Sequence, residues 1–169
     1  MSGQTVLKPS KEQLEQVDKI LDEYESKTLG LPEFQKPGED SELQQYVSMD
    51  RKALEAMSVD DCNAAAYRIA QFSFHIQRSQ NREKARIGWA TSKLKLYIAD
   101  KVGQYKAYSY EERMFACIKN DEYATSLHMI QKYAQQRSDR LDFIATSLKT
   151  LSDLIKNIAY NKHRNLKDE

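Results

Sequence analysis

The chain of 169 residues is 40% hydrophobic and 30% charged, with five glycines, three prolines and a formal net charge of +1. That balance suits elongated helices with narrow apolar stripes and excludes a compact sheet protein, which needs more Val, Ile, Gly and turn residues. No run approaches the roughly 20 apolar residues of a membrane span, and no apolar segment marks an export signal. A cytoplasmic location is therefore expected, with Cys62 and Cys117 as reduced, partly buried thiols.

The charge is distributed unevenly. Residues 1–61 carry 7 Lys/Arg against 14 Asp/Glu, and residues 62–169 carry 19 against 11, giving −7 and +8. An acidic front and a basic rear can attract each other or address different partners.

Met1–Pro9 reads as a tail. Ser10-Lys-Glu-Gln13 has the form of a capping box, and Leu14, Val17, Leu21 and Tyr24 follow at helical spacing to about Lys27. Residues 28–40 hold two prolines and two glycines and are predicted to be loop, with Leu29, Leu31 and Phe34 available to dock on a partner or on the body of the protein. Asp40 or Ser41 can cap a short helix through Leu43, Tyr46 and Val47, and Asp50 a further turn or two through Leu54 and Met57. Ser58-Val-Asp-Asp61 then opens a long helix running to about Tyr105, interrupted by the wholly polar stretch Ser79–Lys84. That stretch is a kink, an exposed segment or a polar layer. About 45 residues of helix would span roughly 65–70 Å, so a partner element must cover the stripe.

Tyr105–Tyr108 is expected to turn the chain. Ser109-Tyr-Glu-Glu112 caps a short helix, and a last helix begins near Asp121. Leu127, Ile130, Ala134, Arg137, Leu141, Ile144, Leu148, Leu151, Ile155 and Ile158 alternate in steps of three and four, the spacing of a coiled-coil seam and an oligomerisation surface. Arg137 intrudes on it, as a register device or as a snorkelling side chain. Pairing residue 105 with 123 sets Leu94 near Ala134 and Arg137 near Thr91, where no acid lies, which points to further chains completing the core. The expected fold is all-α: an acidic N-terminal region with short helices and a Pro/Gly loop (1–57), then a long antiparallel helical hairpin for binding and oligomerisation (58–169).

No catalytic centre is legible. G-x-x-x-x-G-K-[ST], G-x-G-x-x-G and G-x-S-x-G are absent, and His75, His128 and His163 stand apart rather than clustered as metal ligands. Asp60-Asp61 and Glu111-Glu112 lie where first-turn acids favour a helix dipole. No enzyme activity, cofactor or metal is expected. The positive charge is more informative. Between Arg68 and Lys106 nine bases, among them Lys84, Arg86, Lys93, Lys95, Lys101 and Lys106, face only Glu83 and Asp100, and Trp89, Tyr97, Tyr105, Tyr108 and Tyr110 are interleaved or adjacent. Cations along a rod track a polyanion, and rings offer stacking platforms for unpaired bases. The plainer reading is a solvated basic face.

A basic helix closing on GQYKAYS (Gly103–Ser109), then EERMFACIKND (Glu111–Asp121), then a heptad helix ending LSDLIKNIAYNKHRNL (Leu151–Leu166) resembles the UvsY-type recombination mediators of tailed bacteriophages, over about residues 64–166. The resemblance implies a homo-oligomeric ring in the host cell cytoplasm. Such a ring binds single-stranded DNA and helps load a RecA-like recombinase onto DNA covered by single-strand-binding protein. It places DNA contacts at Lys93, Lys95, Lys101 and Lys106, with Tyr105 and Tyr108 as stacking residues. The basic segment is sparser here than in that family, and the acidic front has no counterpart in it. The competing expectation is a helical structural or adaptor protein that recruits other proteins through its acidic front.

Overall fold

A computed structural model describes residues 10–38 and 40–165, without the side chains of Asp40 and Ser41. The expectations for the first nine residues and for capping by Asp40 or Ser41, and Leu166 at the end of the segment that carries the resemblance, lie outside the described residues. Those described are all-helical: α1 (Ser10–Lys27), α2 (Asp40–Ser48), α3 (Arg51–Ala56), α4 (Val59–Ile98), a single 3₁₀ turn (Val102–Gln104), α5 (Tyr110–Asn120) and α6 (Glu122–Asn165). Among them, no helix is long and apolar enough to cross a membrane.

Local chemistry sets the boundaries. After α1 the Leu31 amide reaches back to the Glu25 carbonyl across Gly30, whose φ of +64° is open to glycine at little cost. Asp50 accepts from the Ala53 amide to start α3, and the Ser58 hydroxyl accepts from the Asp61 amide at the head of α4. The capping box at α5 is complete: Ser109 Oγ accepts from the Glu112 amide, and the Glu112 carboxylate accepts from the Ser109 amide. Asp121 caps α6 by accepting from the Ala124 amide.

The two long helices pair as a packed antiparallel hairpin, and the chain forms two compact units. One comprises residues 1–33 and 81–138, the other 34–80 and 139–169. In the first, Leu94, Ile98, Val102, Cys117, Ile118, Ala124 and Leu127 are buried together, with Trp89, Tyr97, Tyr105, Met114 and Tyr123 packed around them. In the second, Leu54, Cys62, Ala65, Ala66, Ile69, Phe72, Leu148, Ile155 and Ala159 form the core. Phe34 docks there, its ring stacked on His75 at 4.9 Å with the Arg78 guanidinium 5.2 Å from its centroid. Both cysteines are free and buried.

Two expectations are corrected. The first is the register. Tyr97 meets Tyr123 with centroids 4.8 Å apart, Gln131 donates to Thr91 Oγ1 at 2.9 Å, and Arg137 reaches Glu83, eight residues (91 − 83) from Thr91. The turn begins at Ala99 rather than Tyr105, so α4 is shorter at its C-terminal end and the pairing slides by roughly two helical turns. Arg137 thus has an acid within its own chain, which removes the reason to invoke further chains at that point. The second concerns the seam of α6. Its central rows are Ala124, Gln131, Ser138, Ala145, Ser152 and Ala159 together with Leu127, Ala134, Leu141, Leu148 and Ile155, the smallest of which are buried. Ile130, Ile144, Leu151 and Ile158 flank this seam half-buried, as Arg137 flanks it with half its side chain in solvent. Small residues at the centre let the backbones approach. Ser73 Oγ accordingly donates to the Ala145 carbonyl at 3.1 Å, and Ser152 Oγ to the Ala66 carbonyl at 2.8 Å.

The polar stretch Ser79–Lys84 does not break the helix. Its Gln80 and Glu83 are buried, each with a polar partner on α6: Gln80 Nε2 donates to Asp142 Oδ1, and Glu83 accepts from Arg137.

Candidate nucleic-acid interface

All eight residues expected at a nucleic-acid surface fall in the unit formed by residues 1–33 and 81–138, and they divide by whether other residues of that unit already engage them. Arg86 is held on both sides. Its Nε donates to Asp18 Oδ1 at 3.0 Å, Nη2 donates to the other oxygen of Asp18 at 2.5 Å, and Nη1 donates to Glu83 Oε1 at 2.7 Å. The hydrogen bonds that Arg86 donates to Asp18 lead in raising its pKa above the ordinary value, against the opposing effect of burial. One turn earlier Arg82 meets Asp22, and burial lowers its pKa despite the neighbouring Asp18.

Lys101 is also engaged. Burial acts to lower its pKa, but hydrogen bonds with Asp121 and Tyr97 outweigh this and hold it above the ordinary value. Its ammonium lies 2.6 Å from Asp121 Oδ2 and 3.7 Å from the Tyr97 ring centroid, and the Tyr97 hydroxyl donates to the same oxygen at 3.0 Å. Burial raises the Asp121 pKa, but the hydrogen bonds from Lys101, the Ala124 amide and Tyr97 together leave it below the ordinary value. Tyr105 is half-buried against the core, so its ring is not free on all sides.

Lys84, Lys93, Lys95 and Lys106 are exposed. Tyr108 stands fully in solvent while its amide donates to Glu112 Oε2, and Tyr110 and Leu96 are also exposed. Apart from Lys101, the partition of the bases follows the chemistry of the two cations. A planar guanidinium forks onto carboxylates inside a protein, whereas an ammonium holds its water.

No family model, curated protein or solved structure matches the chain.

The residues that sequence reasoning missed are the acids. Asp18, Asp22 and Asp121 each close on a base distant in sequence, and only the hairpin register and the docking of α1 bring them there. For Asp18 and Asp22 the opposite net charges of the two parts of the chain were the available signal; Asp121 and Lys101 both lie in the basic part, which carried none. In the other unit Glu42 pairs in the same way with Arg68 at 2.5 Å. No cluster of three or more His, Cys, Asp or Glu side chains is placed to hold a metal ion among the described residues. The residues expected at an oligomer seam turn onto their own chain: Leu127, Leu148 and Ile155 are buried, while Ile130, Leu141, Ile144, Leu151 and Ile158 are half-buried.

Proposed function

We propose that the chain binds single-stranded nucleic acid through Lys84, Lys93, Lys95 and Lys106, with Tyr108 and Tyr110 as stacking rings. The observation that carries this reading is the division of α4: Arg68, Arg82 and Arg86 are ion-paired within the chain and Arg78 lies over Phe34, while Lys84, Lys93 and Lys95 face solvent. Exposed lysines together with exposed tyrosines suit contact with phosphates and stacking on unpaired bases, without base readout. By its resemblance to the UvsY-type mediators, the chain acts as an accessory that helps load a RecA-like recombinase onto strands covered by single-strand-binding protein, as a homo-oligomer and without a catalytic step of its own. Phe143, Leu154 and Tyr160, which point outward from α6, are available for self-association.

Fluorescence anisotropy with a labelled oligothymidylate, alongside light scattering, tests this. The full chain should bind at low salt with an affinity that falls steeply as salt rises. Replacing Lys93, Lys95 and Lys106 by Gln should weaken binding at least about tenfold and lower the salt slope by about 2, three phosphate contacts at roughly 0.7 each. Absence of binding at low salt would sink the reading.

A second reading, an adaptor for other proteins, draws on Ile20 and Tyr24, which lie one turn apart on α1 and are both more than half exposed. It predicts that Ile20→Glu with Tyr24→Glu abolishes partner capture and leaves oligonucleotide binding intact.

A further inference from the structure

The basic surface continues beneath α1. Arg82, Arg86, Trp89 and Lys93 follow at steps of four, three and four and so share one flank of α4 over about 16 Å. Lys93 is exposed at the C-terminal end of this row, whereas the two arginines are covered by Asp22 and Asp18 of α1. The match is one of spacing as well as sign. Two carboxylates one helical turn apart, about 6 Å along the axis, meet two guanidiniums one turn apart, the later acid on the earlier base. Such an array of negative charges is what a phosphate backbone offers the same arginines.

The segment supplying those carboxylates is lightly held. α1 has no buried residue; Leu14, Val17 and Leu21 are half-buried along its inner side. Polar contacts add to these: the Ser10 hydroxyl meets that of Ser126, and the Tyr123 hydroxyl donates to Gln13 Oε1 at 3.1 Å. A helix docked by a narrow stripe and partly exposed ion pairs is one that salt and a competing polyanion can displace.

We propose that Arg82, Arg86 and Lys93 form a second strip for nucleic-acid phosphates, and that α1 is its internal acidic occupant, displaced when a strand that has engaged Lys93 extends along α4. This rests on the single-strand reading above. It turns the acidic front into a brake on binding: affinity is low until a strand is long enough, or concentrated enough, to replace Asp18 and Asp22.

The test uses the full chain and a labelled oligothymidylate. Asp18→Asn with Asp22→Asn should raise affinity about fivefold or more near 0.1 M salt and steepen the salt slope by about 1.4, two added contacts at roughly 0.7 each. Adding Arg82→Gln and Arg86→Gln should abolish that gain. Glu12→Gln with Glu15→Gln changes the net charge equally at exposed positions of α1 and should shift affinity by less than about twofold. A second variant works in the opposite direction without weakening the fold. Ser10→Cys with Ser126→Cys places two thiols where the hydroxyls meet, so oxidation should tether α1 and lower affinity, and reductant should restore it. If the wild type binds but neither the Asp variants nor the tether alters affinity, or the Glu12/Glu15 control raises it as much as the Asp pair, the brake is refuted while the lysine reading stands. If neither the wild type nor the Asp variant binds at low salt, the single-strand reading itself falls.

Discussion

Arg137 Nη2 lies 2.8 Å from Glu83 Oε2, so the charge that interrupts the apolar pattern of α6 is answered by a carboxylate only 7% exposed on α4. Arg86 donates to the other oxygen of that carboxylate, making Glu83 the shared acceptor of two guanidiniums.

This sharing makes the two ends of the contact unequal. Glu83→Leu leaves Arg86 with Asp18 but strips Arg137 of its acid, and should destabilise the chain by about 1–3 kcal/mol, less than a fully buried pair because Arg137 recovers water. Arg137→Met leaves Glu83 with Arg86 and should cost under about 1 kcal/mol. Urea unfolding midpoints of the two variants check this, and equal losses would contradict it.

Lys101 and Asp121 define the pH limits of their own contact. The Asp121 pKa is depressed from 3.8 in the folded chain, so its contribution is present above about pH 4 and is lost as pH falls through the folded value. The Lys101 pKa is raised from 10.5, so its contribution is complete below that value and is lost as pH rises through the folded one. Between roughly pH 5 and 9 the pair is insensitive to pH. Asp121→Asn keeps a capping oxygen and should remove the acid-side loss, whereas Asp121→Ala should cost about 1 kcal/mol more by also uncapping α6. Lys101→Gln should lower thermal stability and leave oligonucleotide affinity within about twofold, since the ammonium faces inward; a loss matching that of Lys93→Gln would place Lys101 in the interface instead.

The His75 ring stacks on Phe34, and its pKa lies below 6.5, first because of burial and then because of Arg78 and Lys36, with a hydrogen bond to the Gln35 backbone opposing. The neutral ring is therefore the one the fold prefers. Its contribution is complete above about pH 6.5 and declines as pH falls from there to the folded value. The urea midpoint of the wild type should drop between pH 7 and pH 5, and His75→Asn should flatten that interval. A variant that keeps the full slope would assign it to other groups.

Much of this was legible because long periodic helices announce themselves. Ser10–Lys27 emerged over the predicted span, with Ser10 as its first helical residue rather than its cap, and the Ser109–Glu112 box formed as its spacing required. What the sequence could not give was the register. It depends on how many residues the turn between α4 and α6 consumes, and the early end of α4 at Ile98 shifted every cross-helix partner. Hence Glu83 was invisible as the partner of Arg137, as was Asp121 as that of Lys101. The seam of α6 was misread by one residue for a different reason. Large apolar residues dominate any reading by hydrophobicity, yet the axis of a close helix pair is filled by Ala and Ser, and Ile130, Ile144, Leu151 and Ile158 are displaced to its sides. Among the expected interface residues, exposure separated Lys84, Lys93, Lys95, Lys106 and Tyr108 from Arg86, Lys101 and Tyr105, a distinction that depends on α1 docking and on Asp121.

The small-residue seam makes the sharpest prediction about the fold. Ser152 is 2% exposed, and its hydroxyl reaches the Ala66 carbonyl across the helix pair, so a longer side chain there must displace this close contact. Ser152→Ala removes one hydrogen bond but leaves the Ala66 carbonyl its helical partner, so the cost should be at most about 1 kcal/mol. Ser152→Leu adds a branched apolar side chain at the same point and should cost more, about 2–3 kcal/mol, because both backbones must part to admit it. At Ile144, half-buried beside the seam, substitution by Leu should cost under about 1.5 kcal/mol. Ranking the three by urea midpoint tests the assignment. If Ser152→Leu proved the most stable of the set, the seam would run through the large residues, and the close approach of α4 and α6 would be wrong.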